Sequence, residues 1–235
     1  MKISVLIPSV HTHMLESTID SLETNSSTKV EILIQDNSKD NIGIPRAYTK
    51  LFAQSTGDII WAADDDYYYP KGWDEPLIEA IESDLSEGKK YFSRAPIMIE
   101  PLDGNPNTVY KDFGRAPDVF RKEEFDTFAN ERLPIGRFVN PAINPNCPCA
   151  VTREVWEDLG GWSEDYFPGF GADPDFLYRL YQKSGRKDCM LSAPSCYFYH
   201  FSGTTSSGIP RGDSHALFEQ KNGITIKHFI NMMLS

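Results

Sequence analysis

Apolar and polar positions alternate along the first ninety residues in two rhythms, short apolar runs and longer stretches with helical spacing. Residues 3–7 form a near-continuous apolar run closed by Pro8 and Ser9, which reads as a buried strand. Over residues 11–24, Met14, Leu15, Thr18, Ile19 and Leu22 fall on one helical face, with Thr12 near the N-cap. Residues 30–35 are apolar enough for a strand covered on both faces, and Asp36, Asn37 and Ser38 end it. A helix is predicted over 43–55, with Pro45 in its first turn and Ile44, Ala47, Leu51 and Phe52 facing inward. A third strand over 58–63 precedes a third helix over 73–85, striped by Trp73, Leu77, Ala80, Ile81 and Leu85. Strand, loop and helix in repeated succession predict an α/β fold, a mostly parallel Rossmann-like sheet flanked by helices.

The second half is less regular. A strand is predicted over 91–99, and the Gly, Asn and Pro residues of 101–117 argue for turns. Residues 150–159 pass from strand to short helix, which Gly160, Gly161 and Trp162 break. At 170–180 a helix start is marked by Asp173 as N-cap, Pro174 at the first position and Asp175 at the positive end of the dipole. Strand formers over 188–199 lead to His200, then to a small, polar stretch over 201–208. Residues 216–234, interrupted by Gly223, close the chain as a helical segment packing Leu217, Phe218, Phe229 and Ile230. No internal repeat or long linker divides the sequence, so one continuous domain is expected, with halves at 1–90 and 91–235.

Composition narrows the partners. The 235 residues are 40% hydrophobic, enough for a sizeable core, and the formal net charge of -11 argues against nucleic acid, which is bound by clustered Lys and Arg. The brief apolar start, cut by Pro8, reads as neither signal peptide nor spanning segment, so a cytoplasmic protein with no integral membrane segment is expected. Among the four cysteines no pair has the two-residue gap of structural zinc, and buried free thiols are expected.

Chemistry gathers where strands end. Asp64, Asp65 and Asp66 follow the third strand directly, and ligands of open α/β sheets collect beyond the carboxyl ends of the strands. Three adjacent acids repel one another unless a cation or solvent compensates them, and carboxylates suit Mg²⁺ or Mn²⁺. A solvated acidic turn is the plainer reading of such a triplet. Asp36 ends the second strand as either a ligand or an Asx-turn residue. Arg46 stands within reach of a phosphate, or is a surface cation. His200, between a strand and a Gly/Ser loop, is either a structural histidine or a metal ligand beside a lid, with Arg211 beyond it as a phosphate contact. Asp173 combines capping with a fixed position for a general base, and Trp162 is either a stacking platform or a core residue.

Taken together, these residues resemble the family 2 glycosyltransferases, over nearly the whole chain and in the family's order. The nucleotide half is matched by residues 4–8, by 30–38 ending in Asp36-Asn37-Ser38, and by 56–61 leading to Asp64-Asp65-Asp66 and Pro70. The acceptor half is matched by residues 159–164, by 171–175 through Arg179, and by 199–203. The resemblance implies a single-domain GT-A fold and transfer of a hexosyl or N-acetylhexosaminyl group from a nucleotide-diphospho-sugar, UDP-sugar by family frequency, to a carbohydrate or glycoconjugate hydroxyl. It implies that Pro8, Ser9, Asp36, Arg46, Asp64 and Asp65 bind the donor. Asp64 and Asp66 would form the Asp-x-Asp element holding Mn²⁺ or Mg²⁺, with His200 as a third ligand. Asp173 matches the base of inverting members, and Trp162 and Asp175 face the acceptor. Ala172 stands where many members carry an acid before that base. A sugar-phosphate nucleotidyltransferase is the rival enzymatic reading, although residues 8–15 carry neither the glycines nor the Lys or Arg of a triphosphate loop. A non-catalytic sugar- or nucleotide-binding module is the rival outside enzymes.

Overall fold

A computed structural model describes residues 1–10, 12–102, 108–131, 149–201 and 213–234. The first three apolar runs become strands β1 (Ile3–Ser9), β2 (Glu31–Asp36) and β3 (Ile59–Ala62), and the helical stripes between and after them become α1 (Thr12–Asn25), α2 (Ile44–Phe52) and α3 (Asp74–Ser86). β1 is parallel to both neighbours, with Ser9 opposite Asp36 of β2 and Leu6 opposite Ala62 of β3. Three carboxyl ends therefore open on one edge.

β4 (Tyr67–Tyr68), β5 (Ser93–Glu100), β6 (Val109–Tyr110), β7 (Cys149–Thr152) and β8 (Met190–His200) complete the sheet. Its order is β2-β1-β3-β7-β5-β8-β4, with β6 beside β5. β7 runs antiparallel to β3 and β5, and β4 antiparallel to β8, so the sheet is a mixed one, built on a parallel first half. β2 corrects the expectation of a strand covered on both faces: it is the terminal strand, only partly buried, with Ile34 41% exposed.

Alternation along β1 divides the core. Ile3, Val5 and Ile7 join Trp61, Leu77, Ile81 and Phe198 on the face covered by α1 and α3, whereas Leu6 turns to the opposite face. There it meets Tyr48 and Leu51 of α2, Val155 and Trp156 of α5 (Arg153–Leu159), Phe176 and Leu180 of α6 (Ala172–Ser184), Phe218 of α7 (Ser214–Asn222) and Phe229 of α8 (Ile226–Leu234). The first face is strongly aromatic. Tyr69 lies 4.4 Å from Phe198 and 4.9 Å from Trp73, and Trp61 5.2 Å from Phe198, ring centre to ring centre. Such edge and tilted pairs are worth about 0.5–1.5 kcal/mol each beyond their buried area, and they hold β4 and the acids before it against β8.

One element lies where no helix is predicted. α4 (Lys122–Glu131) buries Phe125, Phe128 and Ala129 against Tyr68, Phe113 and Tyr199, a stripe too short and too diluted by acids to stand out in the sequence. Cys189 and Cys196 are buried free thiols, as expected, and Cys149 is buried as well. Among the described residues no helix is long and apolar enough to cross a membrane. Residues 202–208, Arg211 and Cys147 lie outside the described residues.

Candidate active site

The crevice is built from strand ends. Ser9 closes β1, and its hydroxyl donates to Asp65 Oδ2 at 2.5 Å, with the Val10 N–H approaching the same oxygen at 3.3 Å. Asp65 is buried, and its backbone carbonyl accepts from Thr18 Oγ1 of α1 at 2.8 Å. It thus ties the acidic turn to β1 and α1, with its carboxylate against Ser9. Pro8, just before, is buried in the strand.

The flanking acids have other partners. Asp64 accepts from the Tyr67 hydroxyl at 2.8 Å. Burial, reinforced by the negative charge of Asp66, pushes its carboxyl up to about 6, against the pull of that hydrogen bond. Asp66 is 1% exposed, and its Oδ1 lies 3.3 Å from His200 Nε2. Register explains the pairing, since Tyr67 of β4 stands opposite His200 of β8 and brings Asp66 alongside the ring. On its other side the ring meets a second carboxylate, with His200 Nδ1 2.6 Å from Glu100 Oε1. Burial opposes a charge on this histidine, but Asp66 and Glu100 outweigh it and push the imidazole up to about 10. The ring is therefore held between two acids.

Asp173 lies within electrostatic range of Asp64. The expectation of an N-cap is corrected: Gly171 occupies that position in the left-handed region, at φ 89°, and α6 begins at Ala172, with Asp173 in its first turn. Gly171 is needed there, because a Cβ would also lie 3.0 Å from the Tyr166 ring. Burial raises the Asp173 carboxyl to about 7, its own backbone N–H opposes the rise, and the charge of Asp64 adds to it. A carboxyl poised near neutrality, half-buried and within the field of the acidic turn, is suited to proton transfer.

Other predicted residues stand elsewhere. Asp36 lies on the rim with its side chain in solvent, its Oδ1 accepting from the Ser38 N–H at 2.8 Å; the Ser38 hydroxyl and N–H hold its carboxyl below the usual range. That is an Asx turn. Arg46 is a surface cation, its Nε 3.3 Å from Glu164 Oε2. Trp162 packs edge-on against Tyr48 at 4.8 Å within the core. Asp175 is 1% exposed and accepts from Arg179 Nε at 2.9 Å, Tyr166 Oη at 3.1 Å and Asn222 Nδ2 at 3.2 Å. Arg179 in turn donates to the carbonyls of Leu159 and Gly161. These bonds make Asp175 a clamp between α6 and the Gly160-Gly161-Trp162 turn.

Two residues escaped the sequence reading. Asn37 is buried beside Ser9, its N–H donating to the Ser9 carbonyl at 2.7 Å, and among the described residues nothing donates to its Oδ1. Its signal, the Asp-Asn-Ser turn, drew attention to Asp36 instead. Glu100 ends β5 as Asp36 ends β2, the same cue of an acid closing a strand, but it falls where the loop-rich stretch begins.

A divalent ion fits this donor set. Two neighbouring ligands of an octahedral ion about 2.1 Å away stand about 3.0 Å apart, close to the 3.3 Å between Asp66 Oδ1 and His200 Nε2. Among the described residues no group of three such side chains stands at ligand spacing, so phosphate oxygens or water would supply the rest, as is usual for ions that bridge to a nucleotide.

Residues 37–88 match the family model described as Glycosyl transferase family 2, a span that contains Asn37 and all three acids. No curated protein sequence matches the chain. Similar solved structures include S. aureus TarS 1-349 in complex with UDP, at 12% identity and a TM-score of 0.54, covering 85% of this chain and 60% of that one. GalNAc-T7 with UDP, GalNAc and Mn2+ is similar at 14% identity and a TM-score of 0.55, covering 85% of this chain and 43% of that one. The chain thus spans less than two thirds of either structure. The family 2 match is thus confined to residues 37–88, and the similar structures show that the chain as a whole shares their α/β fold, of the GT-A type.

Proposed function

We propose that the protein transfers a hexosyl or N-acetylhexosaminyl group from a nucleotide-diphospho-sugar, of which a UDP-sugar is our first choice, to a hydroxyl of a carbohydrate or glycoconjugate acceptor, with inversion. What supports this reading is the grouping of Asp64, Asp66 and His200 beyond the carboxyl ends of parallel strands, with Asp173 within electrostatic range of Asp64. The family match over the acidic turn and the UDP held by both similar structures support it.

Each residue has its role. Asn37 offers a buried acceptor to a nucleobase N–H, with Pro8, Ser9 and the Asp36 rim forming the floor and edge of that pocket. Arg46, in the first turn of α2 and ion-paired with Glu164, would lend a cation to the donor phosphates. Asp66 and His200, with Asp64 beside them, would hold Mn²⁺ or Mg²⁺, for which His200 gives up its proton. A bound divalent ion would neutralise the diphosphate and ease its departure. Asp65 fixes the acidic turn through Ser9. Asp173 takes the proton from the acceptor hydroxyl as that oxygen attacks the anomeric carbon from the face opposite the diphosphate, which gives inversion. The clamp of Asp175 and Arg179 sets Trp162 and its turn as the acceptor-side wall. The buried free thiols of Cys189 and Cys196 fit a reducing compartment, and we place the enzyme in the cytoplasm.

The test is incubation with a panel of nucleotide-sugars and Mn²⁺, following nucleoside diphosphate release and the anomeric configuration of the freed or transferred sugar by proton NMR. Release from one nucleotide-sugar, dependent on the ion and with inverted configuration, is expected. No release from any donor, or retained configuration, contradicts the scheme.

A further inference from the structure

Among the described residues, Glu100 is a buried acid in contact with His200 that has no role in the chemistry above, and three strands cooperate to build that contact. β5 and β8 run parallel with Ile99 opposite Tyr199, so Glu100 and His200 follow side by side at the ends of their strands. β4 pairs with the other edge of β8 and delivers Asp66 to the opposite side of the same ring. The result is a line of contacts: Thr108 Oγ1 donates to Glu100 Oε2 at 2.8 Å, Glu100 Oε1 meets His200 Nδ1 at 2.6 Å, and His200 Nε2 faces Asp66 Oδ1 at 3.3 Å. Glu100 is 4% exposed and Thr108 7%, so the outer end of this line is held away from solvent. The Tyr67 ring, edge-on at 4.9 Å, limits rotation of the imidazole.

We infer that Glu100 is a positioning residue: by accepting the Nδ1 proton of His200 it fixes the ring's orientation and keeps the Nε2 lone pair for a divalent ion shared with Asp66. This rests on the reading of His200 as a donor to that ion. The physical reason is general. An imidazole ligates through one nitrogen only if the other carries the proton, and a carboxylate on that proton both selects the tautomer and raises the basicity of the ligating nitrogen. Thr108 acts in the same way further out, holding Glu100 to a single orientation. A packing role alone does not require an acid at this place, because an apolar side chain of similar length fills the same volume without the need to desolvate a charge.

The experiment is a double-mutant cycle read by Mn²⁺ uptake, so that it does not depend on turnover. The free-ion electron paramagnetic resonance signal is titrated with protein in the presence of UDP, for wild type, Glu100→Met, Glu100→Gln, His200→Ala and the Glu100→Met/His200→Ala pair. Urea unfolding of each variant gives the folded fraction used in the titration. Glu100→Met should weaken Mn²⁺ binding by about 10- to 100-fold. Glu100→Gln, whose amide oxygen still accepts from Nδ1, should recover most of that loss. In the His200→Ala background Glu100→Met should add nothing. An equal effect of Glu100→Met in both backgrounds, or a loss of stability with Mn²⁺ affinity unchanged, overturns the inference while leaving the ion site standing. Failure of the wild type to take up Mn²⁺ with UDP, or unchanged uptake in His200→Ala, overturns the reading of the site beneath it as well.

Discussion

Asp173→Asn should make the protein more stable and nearly inactive. A carboxyl raised from an ordinary 3.8 to about 7 is bound to its proton more tightly in the native state than in the unfolded chain. Its contribution to stability is fully present below about pH 4 and is lost as pH rises through about 7. Each pKa unit is worth about 1.4 kcal/mol, so ionising this group in the fold costs up to about 4 kcal/mol at pH 8. Water reaches a half-buried carboxyl, and halving the figure for that screening leaves about 2 kcal/mol. An amide of the same shape carries no such penalty. Urea unfolding in EDTA should therefore show Asp173→Asn about 2 kcal/mol more stable than wild type at pH 8 and less than about 1 kcal/mol more stable at pH 5. For a chain of this size the pH 8 difference amounts to about 4–8 °C in Tm. Sugar transfer should fall by about 10²- to 10⁴-fold, the range for loss of a general base. A helix N-terminus favours an anion by about 0.3–1 kcal/mol. If Asp173 were an ordinary solvated acid in the first turn of α6, the Asn variant would be slightly less stable, with no growth of the difference between pH 5 and 8, and the reasoning would be refuted.

Three further outcomes follow from the same geometry. The pH profile of kcat/KM should rise with unit slope in acid, bend near pH 7, where Asp173 is half deprotonated, and level above it; a flat profile from pH 5 to 8 argues for another base. Asp175→Ala removes the buried partner of the Arg179 guanidinium and should cost about 3 kcal/mol in urea unfolding, with UDP affinity of the folded protein unchanged; a selective loss of acceptor binding without loss of stability would return Asp175 to the acceptor site. Ser9→Ala takes a donor from the buried Asp65 carboxylate and should cost about 1.5–3 kcal/mol, seen as a lowered Tm, whereas a neutral result would mean the acidic turn holds itself.

Much of the fold was legible because its first half is regular. The runs that became β1 and β3 and the stripes of α1 to α3 alternate at the spacings that burial demands, and an acid at the end of a buried strand is costly enough to announce itself. What escaped depends on neighbours rather than on local pattern. The exposure of β2 follows from its place at the sheet edge, which its own six residues do not encode. The start of α6 moved because Gly171 adopts a left-handed conformation that suits an N-terminus, whereas the Asp173-Pro174 pair imitates one. Asp175 looked like a site residue by proximity in sequence; in space its partners are Arg179, Tyr166 and Asn222, the last 47 residues away. Glu100 gains its meaning from His200, 100 residues later, through the register of β5 on β8.

The most direct measurement is a thermal-shift panel of nucleoside diphosphates, each with Mn²⁺ and with EDTA, on the wild type and on Asp66→Ala. A ligand that binds only the native state raises Tm by mass action, by about 2.7 kcal/mol at a hundredfold excess over Kd. One nucleotide, UDP first among them, should stabilise the wild type in Mn²⁺, lose that effect in EDTA, and leave Asp66→Ala unmoved in either. A panel in which no nucleoside diphosphate shifts the wild type, or in which Asp66→Ala responds as the wild type does, contradicts a donor site built on the acidic turn.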